Sequence, residues 1–506
     1  MKRKCLIGID CGTTRLRCGV FDLKGKRVAQ ADYRFKLKIP KVGWAEQDAN
    51  EWLKGLTVAT RNCLQQVKGS GCEVIGIGLA ATSASVVAIG EDRQPLCDAI
   101  MWMDVRSQPQ TEKIKKRAST SFLNNFGGQI NAEWFIPKVL WLKENRSELF
   151  QRAYRIVDAV DWLTFFLTGS WVGSVSNATN SGAFFPSAGG WDVDTLSAIG
   201  LKNLPAKLVD RVANVGELAG QLTDKAARAM GLPSGLPVGV GGIDCHIGMI
   251  GLNSLKQGKL AVIIGSSSCH LTLTRKAHYF PGIWGPYQSA VLPDMWLIET
   301  GQTTTGSLLK WFQSRFAASG ETMAALSKEA EKIEPGAEDL ILLDTWQGNR
   351  SPHNESFTRG GLIGLSLRHT RAHILRAIFE GICFGASASI DHTERNSGVS
   401  MTQIDIGGGG TANRFWMQMH ADIIGRRVCL TAEPEATLLG AAICGGSACG
   451  ILRNLKAGAK QMVRQKSILV PDMKNHQLYR RLFDRYRDAY AALRPLFHKI
   501  TRESGR

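Results

Sequence analysis

The sequence predicts an α/β protein of two domains built on one plan, and three observations carry that prediction. At 506 residues the chain exceeds what one hydrophobic core usually serves, so two domains of roughly 200 to 250 residues are expected. Apolar strands that end in glycine and hydroxyl residues recur: LIGIDCGTT near the N-terminus is echoed by VIIGSSSCHLTL at 262–273, and VIGIGLAATSAS at 74–85 by QIDIGGGGTAN at 403–413. Segments of helical period lie between these strands. The polar, glycine-bearing stretch GLNSLKQGKL at 251–260 is a plausible hinge just before the second hairpin, which divides the chain into 1–252 and 253–506.

In IGIDCGTTRLRCGVFDLKGK an apolar strand runs into Asp10, then Gly12, Thr13 and Thr14, and returns through Cys18, Val20 and Phe21 in the alternation of a second strand. A carboxylate at the end of a buried strand is costly unless a charged group is meant to sit beside it. The Gly-Thr-Thr turn offers backbone N–H groups and hydroxyls at close range, so this hairpin suits phosphate. Asp10 would then hold magnesium through water, since that ion takes oxygen ligands and dehydrates reluctantly. A surface turn with an incidental Asp is the alternative.

The later elements follow in order. The strands at 74–85 and 403–413 each run into a small-residue turn and, by expectation, a helix. WMDVRS places Asp104 and Arg106 beside Trp102, a mixture suited to hydrogen-bonding hydroxyls against an aromatic wall; a surface turn reads the same way. PKVLWLKENRSELFQRA has Pro137 at a helix start and an apolar stripe through Val139, Leu140 and Leu142. In PVGVGGIDCHIGMIGL, Asp244 follows a glycine run and serves either as a general base or as a helix cap. Glu299 opens ETGQTTTG after an apolar strand and is a third candidate carboxylate. From His369 to Asp391, Ile374, Ala377, Ile378, Gly381, Ile382 and Gly385 mark a core helix. His246, His270, His369 and His373 complete no HExxH-like motif and read as structural.

Composition narrows the function. Apolar residues make up 44%, ordinary for a globular protein. The twelve cysteines form no CxxC pair and read as reduced, mostly buried thiols. The basic start is followed by an apolar run that breaks at Asp10, and no run of 18 apolar residues occurs, which favours a cytoplasmic protein without a membrane partner. The net charge of +18 raises nucleic-acid binding, yet KIKKR at 113–117 and the basic tail from Lys456 lack interleaved aromatics and read as solvated helix faces. Attraction of an anionic nucleotide is a sufficient use for the charge. A GxxxxGK[ST] loop is absent, and GIGLAA and GGGGTA match a dinucleotide fingerprint only loosely.

Taken together, these segments resemble the FGGY carbohydrate kinases, a branch of the actin-like (ribonuclease H-like) ATPase fold. IGIDCGTT resembles their first phosphate hairpin, IGSSS at 264–268 their second, and GGGGTANRFWMQMHADIIG at 407–425 their adenine-side segment. MWMDVRS, EWFIPKVLWLKEN, PGIWGPY, ETGQTTTG, WQGNRSP and RAIFEGICFGA resemble the pentulose-kinase branch, in family order, from residue 7 to about 450. The resemblance implies two actin-like domains closing on a cleft. It also implies transfer of the γ-phosphoryl group of ATP, with Mg2+, to a small sugar or polyol, first of all a ketopentose such as ribulose or xylulose. Asp10 is then the metal-side residue, and Thr13, Thr14, Arg17, Ser266, Gly306, Gly409 and Asn413 are nucleotide-side positions. Asp244 is the base, and Asp104 and Glu299 bind sugar, with Arg106 and Trp102 as cleft neighbours. Gly182 stands where ribulokinases carry a lysine, which leaves an erythritol- or glycerol-type polyol as the alternative acceptor; a non-catalytic actin-like regulator is the other reading. A homodimer is compatible with the chain.

Overall fold

The computed structural model describes residues 2–503. Two large sheets dominate it. The first contains β1 (Arg3–Cys11), β2 (Arg15–Asp22), β3 (Arg27–Arg34), β4 (Cys72–Ala81) and β5 (Pro237–Ile243), with Leu218–Gln221 at its edge. The second contains β6 (Lys259–Ile264), β7 (Ser268–Thr274), β8 (Trp296–Gln302), β9 (Gln403–Gly408) and β10 (Arg427–Thr431), flanked by Trp284–Gln288 and Gln465–Leu469.

Each sheet is a three-stranded antiparallel meander whose first strand is also paired in parallel with a fourth, and the fourth with a fifth. The repeat seen in the sequence is therefore a repeat of topology. β1 and β6 lie in the interior of their sheets, so both carry near-continuous apolar runs, as strands covered on both faces must. Where β1 ends, Asp10 pairs with Arg17 and Ala80; where β6 ends, Ile264 pairs with Ser268 and Gly408. Both phosphate-like turns thus emerge at matching corners of the two sheets.

The helices that matter for the site are α1 (Asp244–Gly251), α2 (Gly306–Phe316), α3 (Arg371–Ser397), α4 (Arg414–Ile424), α5 (Ala436–Ala448) and α6 (Met473–Glu503). The turn after β9 leads into α4 as expected. The turn after β4 does not lead into a helix: Val86–Ile89 is a fully buried strand paired with Arg155–Asp158. Its VVAI composition, β-branched and apolar, suits a sheet core better than a helix.

α5 belongs to the second half in sequence but packs on the first sheet. A Cβ on Gly8 would sit 1.9 Å from the Leu438 carbonyl oxygen, and one on Gly78 would sit 1.8 Å from that of Ala441. α1 meets the same helix at Gly440, where an added Cβ would lie 2.0 Å from the Ile247 oxygen. Backbone meets backbone along this seam, which only glycine permits.

α3 is long and apolar enough to cross a membrane by composition, with a mean hydropathy of 1.2, but 89% of that window is buried inside the protein. The basic tail is not loose either. In α6 Tyr479, Phe483, Tyr486, Tyr490 and Phe497 are buried at helical spacing, while Arg480, Arg481, Arg485 and Arg487 face solvent. Tyr486 Oη donates to Asp344 Oδ1 at 2.6 Å, and Arg376 Nη2 donates to Tyr479 Oη at 2.6 Å. All twelve cysteines are free.

Candidate active site

A cleft of about 1330 Å3, lined by both halves, holds most of the residues singled out from the sequence. Its size exceeds the roughly 300–1,000 Å3 of a typical single-ligand pocket.

At one end the two hairpin turns face the cleft with Gly12, Thr13 and Thr14 on one side and Gly265, Ser266 and Ser267 on the other. The first turn is held from behind: Gln47 Nε2 donates to the Thr13 oxygen at 2.6 Å, and Trp102 Nε1 donates to Thr13 Oγ1 at 2.9 Å. The second is gripped by the start of α2, whose Thr305 and Ser307 amides both donate to the Ser266 oxygen at 3.0 Å. Gly306 lies so close there that a Cβ would sit 2.3 Å from the Gly265 oxygen. Beyond this turn Gly409, Gly410, Asn413 and the exposed cations Lys310, Lys328 and Arg414 continue the lining. A Cβ on Gly409 would meet nothing within 4 Å, whereas Asn413 caps α4, its Oδ1 accepting from the Trp416 amide at 3.1 Å.

At the centre three carboxylates converge. Asp10, at the end of β1, pairs through Oδ2 with Arg17 Nη2 at 2.6 Å, while its buried Oδ1 has no hydrogen-bond partner. Burial raises its pKa against the pull of Arg17. Arg17 also pairs with Glu435, which precedes α5, so one guanidinium ties the two halves together. Asp244 stands where β5 becomes α1; its Oδ1 accepts from the Cys245 amide at 2.7 Å and its main-chain oxygen accepts from Thr437 Oγ1 at 3.1 Å. Burial first, then the negative charge of Asp10, push its carboxyl up to about 7.

The other end is aromatic and polar. Trp134 and Trp284 line it with Glu133, Asn180 and Glu299, Trp102 connects it to the first turn through its bond to Thr13, and Arg350 stacks over Trp284 at 4.1 Å. Trp134 and Trp284 meet edge to face at 5.0 Å. Glu299, on β8, is buried, and its Oε2 lies 3.3 Å from His246 Nε2. His246 therefore has an acidic partner, but one 53 residues away in sequence, beyond the reach of a motif.

Two expected sugar residues are placed elsewhere. Asp104 is fully buried, outside the cleft lining, and its carboxylate is consumed by the Ala45 amide at 2.6 Å, the Arg106 amide at 2.9 Å and the Arg106 guanidinium at 2.7 Å. Arg106 also bonds Glu46 at 2.7 Å and lies over Trp44 at 3.7 Å. The physical reason is burial: the Asp104 oxygens are taken by two backbone amides and the Arg106 guanidinium, which is itself shared with Glu46, so the carboxylate keeps no free acceptor site for a hydroxyl. Of the trio in WMDVRS, only Trp102 reaches the cleft. Gly182 is also outside the lining, at φ +80°, and a Cβ there would lie 2.2 Å from the Phe126 ring. The sequence reading missed Glu133, Asn180 and Glu435. Glu133 lies in the quoted EWFIPKVLWLKEN segment, but nothing local distinguishes it from a surface glutamate.

Residues 5–251 match the N-terminal domain of the FGGY family of carbohydrate kinases, and residues 260–449 match its C-terminal domain. The chain is 29% identical to a ribulokinase of Bacillus licheniformis, covering 90% of this chain and 88% of that protein. It is 29% identical to a xylulose kinase of Bacillus subtilis, covering 97% and 98%. It shares its fold with a ligand-bound xylulose kinase from Lactobacillus acidophilus, at a TM-score of 0.88 and 23% identity over 98% of this chain and all of that one (100%).

Proposed function

This chain belongs to the FGGY family of carbohydrate kinases, of actin-like ATPase fold, and we propose that it transfers the γ-phosphoryl group of ATP to a hydroxyl of a ketopentose such as ribulose or xylulose. The observation that carries the reading is Asp244: a carboxyl at the strand–helix corner of a two-sided cleft, which burial and then the charge of Asp10 push up to about 7. A base poised near the operating pH accepts a proton most effectively in the transition state.

In this reading the sugar lies against Trp102, Trp134 and Trp284, with Glu133, Asn180 and Glu299 as directional partners for its hydroxyls. Asp244 takes the proton of the attacking hydroxyl, whose oxygen forms the new bond to the γ-phosphorus as the bond to ADP breaks. Thr13, Thr14 and Ser266 face the phosphates from two sides, and Gly409 leaves open space for the nucleotide. Arg17 holds Asp10 in place, and the nearby cations Lys310, Lys328 and Arg414 favour an anionic ligand. Asp10 would hold magnesium through water, since its free buried Oδ1 fits an oxygen ligand; the ion's contribution there is to neutralise charge on the phosphates. The work left to the protein is positioning, charge stabilisation and proton acceptance.

Glu299 and its neighbours favour one stereoisomer, because a buried polar group left unpaired costs about 1 to 3 kcal/mol. Gly182 lies in the wall against Phe126 and not on the cleft surface, so the missing lysine does not by itself argue for a polyol. A coupled ADP-release screen over ketopentoses, polyols and aldoses tests the assignment by kcat/KM. A ketopentose should rank first, and Glu299→Ala should weaken its use. A polyol preferred by about tenfold, or 1.4 kcal/mol, would overturn the acceptor while leaving the kinase intact.

A further inference from the structure

We propose that Cys245, His246 and Glu299 form a binding site for a thiophilic divalent cation, zinc above all, at the aromatic end of the cleft. All three side chains are buried, and one ligand atom from each lies within 4.8 Å of the others. The 3.3 Å between His246 Nε2 and Glu299 Oε2 is long for a charge-assisted hydrogen bond, which prefers about 2.7–2.9 Å. It matches the edge of a tetrahedron whose metal–ligand bonds are about 2.0–2.1 Å, roughly 3.3–3.4 Å. His246 is also held as a ligating histidine is usually held. Its Nδ1 is 2.8 Å from Ser176 Oγ, and that oxygen accepts from the Ile243 amide at 3.3 Å, which fixes the ring with Nε2 toward Glu299.

The chemistry suits zinc more than magnesium. Thiolate and imidazole are soft and borderline donors, and a site of three protein ligands leaves a fourth position for water. Cys245 and Glu299 both line the cleft, so that position opens into it. As the sulfur–zinc bond forms, the Cys245 thiol releases its proton to solvent. Thiolate and carboxylate then balance the dication, and no net charge is buried.

Cys245 and His246 come from α1, and Glu299 from β8, so the ion would bridge the two halves. It would also occupy the carboxylate assigned above to the sugar, making cation and sugar mutually exclusive. That consequence rests on the proposed function; binding itself does not, and it is measured without turnover.

The test uses the intact protein, freed of metal with a chelator, titrated with zinc against a chromophoric chelator and with cobalt for spectroscopy. One equivalent should bind, with the charge-transfer absorption of a cobalt–thiolate bond. Cys245→Ser and His246→Asn should each weaken zinc by about tenfold or more. Cys97→Ser, a half-buried thiol outside the cleft, should change neither signal. Where Cys245→Ser fails to fold, zinc should still shield Cys245 of the parent from alkylation, as read by peptide mass. Parent-like zinc binding in Cys245→Ser, no thiolate band with cobalt, or shielding confined to other cysteines would each overturn the site.

Discussion

Asp244 pays for its reactivity in stability. A general base acts unprotonated, so kcat/KM should rise with pH through an acid limb near 7, the value to which burial and Asp10 push this carboxyl. Asp244→Asn should remove that limb and lower turnover by about 10² to 10⁴, with nucleotide binding nearly unchanged. Stability moves the other way. A carboxyl raised from 3.8 when unfolded to about 7 when folded contributes stability that is full below about pH 4 and lost as pH climbs to about 7. Asn never ionises, so the variant should be more stable by up to about 4 kcal/mol at pH 8, with the gain shrinking towards pH 4. Denaturant unfolding at pH 8 and pH 5 checks this; an equal difference at both would show that the charge is not the cause. Asp104 makes the opposite case. Asp104→Ala leaves Arg106 buried without its main partner and should cost about 3–5 kcal/mol. The sugar KM of the protein that still folds should stay within about threefold, under 1 kcal/mol. Asp10 and Asp244 are legible in the sequence because each ends an apolar run at a strand terminus, and Glu299 because it interrupts one, although β8 runs on past it to Gln302. Asp104 is not, because an acid, a base and a tryptophan in six residues read alike whether they face hydroxyls or each other. The His246–Glu299 contact is illegible for a different reason, since only the fold brings β8 to α1.

At the level of elements, the repeated hairpins are readable because a buried strand ending in glycine and hydroxyls is an unusual pattern, and the chain writes it twice. Val86–Ile89 defeats the same reasoning: the turns after β4 and β9 have similar small residues, and only the partner strand Arg155–Asp158 decides the outcome. The glycines of α5 are visible in TLLGAAICGGSA but their purpose is not, because close approach needs the facing glycines Gly8 and Gly78 of the other half. Gly78→Ala should therefore act as an overpacking mutation, since its Cβ would sit 1.8 Å from a backbone oxygen that cannot rotate away. A loss of about 1–3 kcal/mol or more is expected. Gly409→Ala, whose Cβ meets nothing within 4 Å, should unfold at the parent's denaturant midpoint. Similar midpoints for Gly78→Ala and Gly409→Ala would mean that the seam is looser than its geometry implies.

For the whole molecule, the seam settles how independent the two halves are. Leu438, Leu439, Ala441, Ala442 and Cys444 of α5 are fully or almost fully buried, in one cluster with Leu6, Phe21 and Ala80 of the first sheet. Residues 1–252 made alone would expose that face of β1, β4 and β5, where glycines supply no side chains to close the gap. Exposed apolar area costs about 25 cal/mol per Å2, and the stability of a whole domain is only about 5–15 kcal/mol, so losing one buried helix can consume it. Fragment 1–252 should therefore lack a cooperative thermal transition and bind a hydrophobic dye. Adding fragment 253–506, which carries α5, should restore the transition and, with ATP and the preferred sugar, ADP release. The same arrangement puts the shared core next to the chemistry, because α1 and α5 begin at Asp244 and just after Glu435, two carboxylates of the cleft lining. A cooperative transition in isolated 1–252 matching one in the full chain would show that α5 only rests on the first sheet. The Arg17 link from Asp10 to Glu435 would then be the main tie between the halves, and Glu435→Gln would separate their unfolding.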